Sequence, residues 1–448
     1  MMGKIAIIGA GISGLTCGYT LMQKKHNNFE IFESSNRPGG VIKTFKNTKY
    51  LFEEGPNTFA ISDNRTLRMI MDLNLNIIKP KKSSSSRYIL KNNSPTPLPS
   101  SLISIINTKL ISKKTKIKIF QEIFNKSDKK DDNESIHDFF TRRFNNEIAD
   151  YLVNPFIAGT FSGDPKKISI KHAFPKLVHL EKKYKSLILG FLIGKKPQNA
   201  IKREVISFQN GLSELTKSLS IKLNDRINYN SKVNSINAKS SGFIINVMQN
   251  GKSIEKFVDK IIITCPCKNI SEIIKDERIT GYIKKIKSIN YPPLDTFTLA
   301  YNKNDIPNID DGFGLLVPEV EKKNILGILY LSSMFKYRAP KNEILMTVFV
   351  GGARHPEMTK LNSNKILEII KTDLLDIYGI QSDPKFVYHR KWPQSIPQYS
   401  LDYDTNLNSF TRIEKILNGI HFTGNYKGGI SIENNILNAM KLVNKIIN

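Results

Sequence analysis

Residues 4–33 set the terms on which this chain can fold. A short apolar strand, Lys4-Ile5-Ala6-Ile7-Ile8, runs into Gly9-Ala10-Gly11-Ile12-Ser13-Gly14, then a helical stretch to about Lys25 and a second strand, Phe29-Glu30-Ile31-Phe32, that ends on Glu33. Strand, glycine turn, helix, strand and acid in that order predict a Rossmann-like βαβ unit. Gly9 serves the sharp turn, Gly11 lets backbone amides approach a pyrophosphate, and Gly14 lets the helix lie close on the sheet. The uncapped helix start favours an anion, and Glu33 stands where a ribose hydroxyl would be held. Ala10 and Ser34 flank these positions and belong to the same dinucleotide-binding set.

At 448 residues the chain exceeds the size at which single cores stop growing, so two or three lobes are expected. Its 40% hydrophobic and 24% charged residues are those of a globular protein. The net charge of +27 is not. It points to an anionic partner such as a membrane surface or an acidic small molecule, or else to a drift of codon usage that leaves solvated lysines; both readings stand at this level. The basic residues are diffuse and no nucleic-acid module is present, so nucleic acid is not expected as a partner. Cys17, Cys265 and Cys267 have neither bridge nor CxxC spacing, which suits a reducing compartment, and the scattered histidines predict no metal site. The apolar start carries the glycine fingerprint and reads as folded structure, not as a signal peptide. The longest apolar run, Leu187-Ile188-Leu189-Gly190-Phe191-Leu192-Ile193, falls well short of the ~20 residues of a spanning helix. Its lysine flanks (Lys182, Lys183, Lys185, Lys195, Lys196) suit contact with a membrane interface instead.

Further turns fall at Arg37-Pro38-Gly39-Gly40 and Glu54-Gly55-Pro56. Residues 87–99 read as turn-rich, 101–124 as one basic amphipathic helix, 127–135 as a charged linker, and 136–151 and 211–223 as helices. Asn250-Gly251 marks a hairpin between 243–248 and 253–258, and 259–264 is a strand apolar on both faces. Residues 297–301 and 345–350 are strands of a separate mixed sheet, and 420–424 leads through a turn into a helix over 430–447. Strand-turn-helix units at both chain ends make the dinucleotide lobe discontinuous.

Together these turns resemble the FAD-dependent amine oxidase and phytoene desaturase superfamily. Asn154-Pro155-Phe156-Ile157-Ala158-Gly159-Thr160-Phe161-Ser162-Gly163-Asp164-Pro165, Gly312-Phe313-Gly314-Leu315-Leu316-Val317-Pro318, Ser332-Ser333-Met334-Phe335 and Ile396-Pro397-Gln398-Tyr399 resemble one branch of it, the oxygen-dependent protoporphyrinogen/coproporphyrinogen oxidases of haem synthesis. The resemblance spans nearly the whole chain in order. It implies an α/β (α+β overall) architecture. Residues 1–60, 207–290 and 395–448 would form the FAD-binding domain, 61–97 and 291–394 an inserted mixed-sheet substrate domain, and 98–206 a helical membrane-docking lobe.

The resemblance also implies FAD as cofactor and removal of six electrons from a porphyrinogen, with O2 as acceptor. The flavin would do the chemistry, so no catalytic side chain is assigned. Substrate contacts carried over are Arg87 against a propionate, Phe313, Gly314 and Leu316 around the ring, and Phe349 where the family often has methionine. Cofactor contacts carried over are Gly9, Gly11, Ser13, Gly14, Glu33, Arg37, Gly39, Gly40, Gly55 and Pro56, with Val233 at the adenine, and Gly424, Ile430, Ser431 and Ile432 along the flavin. Trp392 packs either near the flavin or in plain core. Asn425 departs from the superfamily's usual Asp, keeping a hydrogen-bonding side chain without the charge. Lys109, Lys113, Lys114, Lys116 and Lys118 among Ile and Leu would attract anionic lipid at about 1 kcal/mol each. A cytoplasmic location, with or without peripheral membrane contact, a homodimer and contact with the next haem-pathway enzyme complete the expectations. Another flavin amine oxidase or carotenoid desaturase, and a non-catalytic flavin- or tetrapyrrole-binding protein, are the competing readings.

Overall fold

The computed structural model describes residues 3–124, 133–194, 198–306, 309 and 311–447. Residues 127–132 of the predicted charged linker, and Lys195 and Lys196, lie outside them.

Isoleucines at alternate positions build the central layer. Ile5–Ile8 pairs in parallel with Phe29–Phe32 on one side and Lys260–Ile263 on the other. Ile227–Asn228 and Ile420–Phe422 complete a five-stranded parallel sheet. Ile5 and Ile7 pack with Leu15, Leu219, Ile436 and Val443, whereas Ala6, Ile8, Ile261 and Ile263 face the opposite way onto Ile245 and Val247. Side chains that alternate between two covered faces make such strands continuously apolar. Helices Ile12–Gln23, Ser213–Leu223 and Ile432–Ile447 cover one face. The antiparallel strands Ser231–Lys239, Gly242–Gln249 and Lys252–Val258 lie over the other, with Asn250 and Gly251 turning the predicted hairpin at positive φ.

A second, seven-stranded mixed sheet runs in the order Phe386–Trp392, Leu294–Asn302, Glu343–Gly351, Ile325–Leu329, Gly314–Leu316, Arg87–Lys91 and Ser94–Pro97. One face is sealed by helix Ser363–Tyr378 through Phe297, Leu299, Ile366, Ile370 and Leu374. The other face carries the site described below. A smaller set, Phe59–Asp63, Ala200–Phe208 and Ile77–Ile78, links the layers. The 60/61 and 206/207 boundaries drawn from sequence fall inside the paired strands Phe59–Asp63 and Ala200–Phe208.

Three sequence expectations change. The turn-rich 87–99 stretch is a hairpin: Asn92 and Asn93 both take positive φ, which a two-residue turn between twisted strands requires. The single helix over 101–124 is broken into Leu102–Asn107, Lys113–Gln121 and a 3-10 turn at Glu122–Phe124. The break arises because Ser112 caps a new helix, its hydroxyl accepting from the Thr115 N–H, while Glu147 accepts from the Ser112 N–H at 3.0 Å and its hydroxyl at 2.7 Å. The helix over 136–151 stops at Arg143. Asn145 then caps a short turn, and a π-turn over Ala149–Val153 leads into helix Asn154–Phe161. Pro155 lacks the N–H that a regular helix would donate back to residue 151, and the wider turn sits directly ahead of it.

Candidate functional site

At the end of the first strand, a Cβ on Gly14 would collide with the Gly9 carbonyl oxygen, so only glycine lets this helix start so close to the strand. A Cβ on Gly11 would meet nothing within 4 Å. Gly11 is also the N-cap of helix Ile12–Gln23, which has no side-chain cap. Unsatisfied helix amides therefore face open space, the arrangement that holds a phosphate.

Beneath this turn, Glu33 is buried and its two oxygens are engaged. One accepts from the Ala10 N–H at 2.7 Å; the other accepts from the Ser35 N–H and hydroxyl at 2.9 and 2.7 Å, with the Ser34 hydroxyl at 3.5 Å. Glu33 thus ties the second strand to the glycine turn, a task beyond the ribose contact expected of it. Ser231 N–H donates to the Glu33 carbonyl at 2.8 Å, which sets Val233 two residues from this corner.

The second glycine turn stacks on the first: Gly39 N–H donates to Ala10 O at 2.8 Å, and a Cβ on Gly40 would sit 3.4 Å from the Gly11 Cα. The Arg37 guanidinium donates to the carbonyls of Pro38, Gly40 and Ile42 at 3.1, 2.6 and 3.3 Å, so it fixes its own turn. Gly55 abuts the Val41 carbonyl, bringing the Gly55-Pro56 turn against the same loop. From the chain end, Asn435 accepts from the Ser13 hydroxyl at 3.0 Å and donates to Ser431 O at 2.9 Å. It joins the start of helix Ile12–Gln23 to that of Ile432–Ile447, next to Ile430. Tyr399 donates to the Asn425 carbonyl and accepts from Gly429 N–H at 3.0 Å, holding the loop after Gly424. These turns, an open phosphate cradle and an acid at the strand end fit a dinucleotide such as FAD.

The mixed sheet supplies the other half of the site. Cross-strand registers place Arg87, Gly314, Leu329, Thr347 and Thr298 in one row, and Ile89, Leu316, Gly327, Phe349, Thr296 and Arg390 in the next. The rows lie two residues apart, so both project to the same face. A Cβ on Gly314 would strike the Ile328 carbonyl, and one on Gly159 of helix Asn154–Phe161 would lie 2.6 Å from Leu316, so these glycines permit close layers. Phe349 and Trp392 pack with Ala158, Leu294 and Leu326. Trp392 thus packs in the same small cluster as Phe349, one of the residues carried over as substrate contacts. Phe313, like Leu329 and Val205, packs against the cluster built around Phe52, Ala300 and Leu345, and the Arg87 guanidinium lies 4.8 Å from its ring centre. Desolvation first, and the positive charge of Arg203 second, lower the pKa of Arg87 from its ordinary value.

Arg390 links the halves: its Nε is 3.6 Å from Glu54, the acid before Gly55-Pro56, and its guanidinium lies 4.6 Å from the Trp392 ring centre. Lys43 completes the link with a 2.8 Å ion pair to Glu54. Sequence reading passed over Arg390 and Asn435. Strand periodicity offered a signal for the first, which stands two residues before the only tryptophan; nothing local marked the second.

The profile of the family described as flavin containing amine oxidoreductase matches residues 12–439. The mitochondrial protoporphyrinogen oxidase of Nicotiana tabacum is 33% identical over 96% of this chain and 92% of its own length. The coproporphyrinogen III oxidase of Staphylococcus aureus is 26% identical over 90% of each chain. A solved structure from Exiguobacterium sp. 255-15 superposes with a TM-score of 0.80 at 18% identity, covering 100% of this chain and 99% of that one, a likeness of fold.

Proposed function

This chain belongs to the flavin-containing amine oxidoreductases, and from that premise we propose that it oxidises a porphyrinogen, protoporphyrinogen IX before coproporphyrinogen III, to the porphyrin in haem synthesis, with O2 as acceptor. The observation that carries the reading is the single sheet face on which Arg87, Leu316 and Phe349 are aligned, joined to the cofactor cradle through Arg390 and Glu54. A porphyrinogen is a broad apolar disc with carboxylates at its rim. It calls for apolar walls and a cation at one edge. Leu316, Phe349 and Trp392 supply walls that exclude water, and Arg87 supplies the cation. Bound FAD supplies the electron-accepting chemistry. The chain's own work is to hold the pyrophosphate at the helix start by Gly11, fix the ribose corner through Glu33, and set the disc against the flavin. The 33% identity to the Nicotiana protoporphyrinogen oxidase, against 26% to the Staphylococcus coproporphyrinogen oxidase, supports the order of substrates.

The test is to load purified protein with FAD and supply each porphyrinogen, and separately amines, under air. Porphyrin fluorescence is expected from the porphyrinogens, with the higher kcat/KM for protoporphyrinogen IX, and no turnover of amines. No porphyrin from either substrate would end the assignment; a higher kcat/KM for coproporphyrinogen III would reverse the order.

Peripheral membrane binding through the helical lobe is the second element of the proposal. Its support is an apolar surface, with Ile103, Phe124 and Leu192 exposed by 72, 82 and 71%, beside the lysines of helix Lys113–Gln121. Among the described residues no helix is long and apolar enough to cross a membrane.

A further inference from the structure

We infer that Tyr399, which ends the Ile396-Pro397-Gln398-Tyr399 segment, is a positioning residue for the flavin: its hydroxyl locks the glycine loop that follows Gly424. The loop leaves strand Ile420–Phe422, one strand removed from Ile5–Ile8 in the parallel sheet. Loop and glycine cradle therefore emerge at the same carboxyl edge, where such sheets bind their ligands. The loop's own backbone does little to fix it, since Gly428 and Gly429 sit at φ of 97° and 121°, a region open to glycine and costly for other residues. Tyr399 supplies the constraint. Its hydroxyl donates to the Asn425 carbonyl and accepts from the Gly429 N–H at 3.0 Å, so one oxygen closes both ends of the bend. Burial raises the pKa of this phenol, which keeps the proton it donates.

Tyr399 is itself held by two other parts of the molecule. Ser169 N–H donates to the Tyr399 carbonyl at 2.8 Å, and the Gln398 side-chain amide donates to the Phe161 carbonyl at 2.9 Å. Phe161 and Ser169 flank the turn between helices Asn154–Phe161 and Ile170–Ala173. Gln398 N–H donates to the carbonyl of Asn290, which leads into strand Leu294–Asn302 of the mixed sheet. The Tyr399 ring packs against that of Tyr403, with centroids 4.7 Å apart. From the opposite side, the Asn438 amide on helix Ile432–Ile447 donates to the Lys427 and Gly428 carbonyls at 3.1 Å each. The loop is thus clamped between the helix tied to the cradle through Asn435 and the segment tied to the helical lobe and the mixed sheet. Loss of the hydroxyl releases one side of this clamp, and FAD must then order the loop as it binds.

The experiment titrates the apoproteins of wild type and Tyr399→Phe with FAD, reading the Kd from flavin fluorescence and the fine structure of the bound flavin's visible absorption band. The phenylalanine keeps the ring and removes two hydrogen bonds, so the Kd should rise roughly tenfold. The fine structure should blur, as it does when a flavin's surroundings become mobile. An unchanged Kd or an unaltered fine structure would overturn the inference, whatever happens to the urea midpoint, because the hydroxyl would then serve the fold alone. Asn438→Ala frees the other side of the same bend without touching Tyr399 and should weaken FAD by about threefold. If Tyr399→Phe yields no folded protein, Asn438→Ala decides alone: weakened FAD supports the clamp and wild-type affinity overturns it. The inference rests on FAD and on no particular substrate, so a failed porphyrinogen assay would leave either result standing.

Discussion

Gly14 is the residue whose replacement has the most predictable result. Its missing Cβ is occupied space, filled by the Gly9 carbonyl, so Gly14→Ala must push the helix start away from the strand and open the phosphate cradle. We expect this variant to purify with little flavin and to lose about 1–3 kcal/mol of stability, read by the flavin-to-protein absorbance ratio and by urea unfolding. A full flavin complement would show that the helix relaxes without harm. Arg87→Ala tests the other half: KM for the porphyrinogen should rise about tenfold with FAD still bound, because the guanidinium lies over Phe313, remote from the glycine turns. Unchanged kinetics would remove Arg87 from the substrate contacts. A third residue predicts a pH dependence. Burial is the main force that pushes the Glu53 carboxyl up from 4.5 to about 7, against hydrogen bonds from Thr44 and Leu212 and the charge of Arg338. A raised folded pKa means that the fold holds the proton more tightly than the unfolded chain. Glu53 therefore contributes fully below 4.5, and its contribution is lost as pH rises to about 7, on the order of 3 kcal/mol across the window. Glu53→Gln should gain relative to wild type between about pH 5 and pH 8 in urea midpoints. Parallel pH profiles for the two proteins would show that Glu53 titrates normally.

Elements were legible from sequence where their determinants are local. The glycine turn, Asn250-Gly251 and the 260–263 strand each carry their own instruction within a few residues. The helical lobe does not. Its predicted helix over 101–124 breaks because Glu147, more than thirty residues away, takes the Ser112 N–H and hydroxyl. Likewise the two rows of the pocket face need the register of six strands drawn from separate stretches of chain, which no single periodic segment contains. Glu122 shows the same long reach. It is buried, pairs with Arg143, accepts from the Ser186 hydroxyl at 2.6 Å and takes the Leu187 and Ile188 N–H groups at 2.9 and 3.2 Å. One carboxylate thus satisfies the start of helix Leu187–Ile193 and neutralises a buried guanidinium. Removing it leaves two amides unpaired and takes from the buried Arg143 its shortest ion pair, with Glu181 remaining at 3.6 Å. Glu122→Ala should cost about 3–5 kcal/mol within the lobe. Hydrogen exchange across 136–193 should accelerate, while the parallel sheet keeps its protection and FAD stays bound. Unaltered exchange in the lobe would show that water replaces the carboxylate.

At the scale of the whole molecule the open question is the charge of +27, which composition alone assigns equally to function and to codon drift. The two readings differ in the positions they require of the lysines. Drift scatters lysines, whereas a docking face needs them beside exposed apolar side chains. The lobe has that pairing: Phe124, Phe191 and Leu192 are 82, 60 and 71% exposed, and Lys113, Lys114, Lys116 and Lys118 share helix Lys113–Gln121 with the exposed Ile117 and Phe120. Apolar side chains inserted at the headgroup boundary and lysines near an anionic surface, each worth about 1 kcal/mol, would act together. The FAD-loaded protein should co-float with vesicles containing anionic phosphatidylglycerol and remain free of pure phosphatidylcholine vesicles. Binding should fall with added salt, since the attraction to the surface is screened. Phe191→Asp with Leu192→Asp should abolish flotation, because it reverses both contributions at one site without touching Glu122 or the pocket face. An equally charged control, two surface lysines of the FAD-binding half such as Lys239 and Lys252 changed to Gln, lowers the net charge by the same two units and should leave it intact. If the control loses binding as fully as the lobe variant, the vesicles are sensing net charge alone, and the lobe has no docking role.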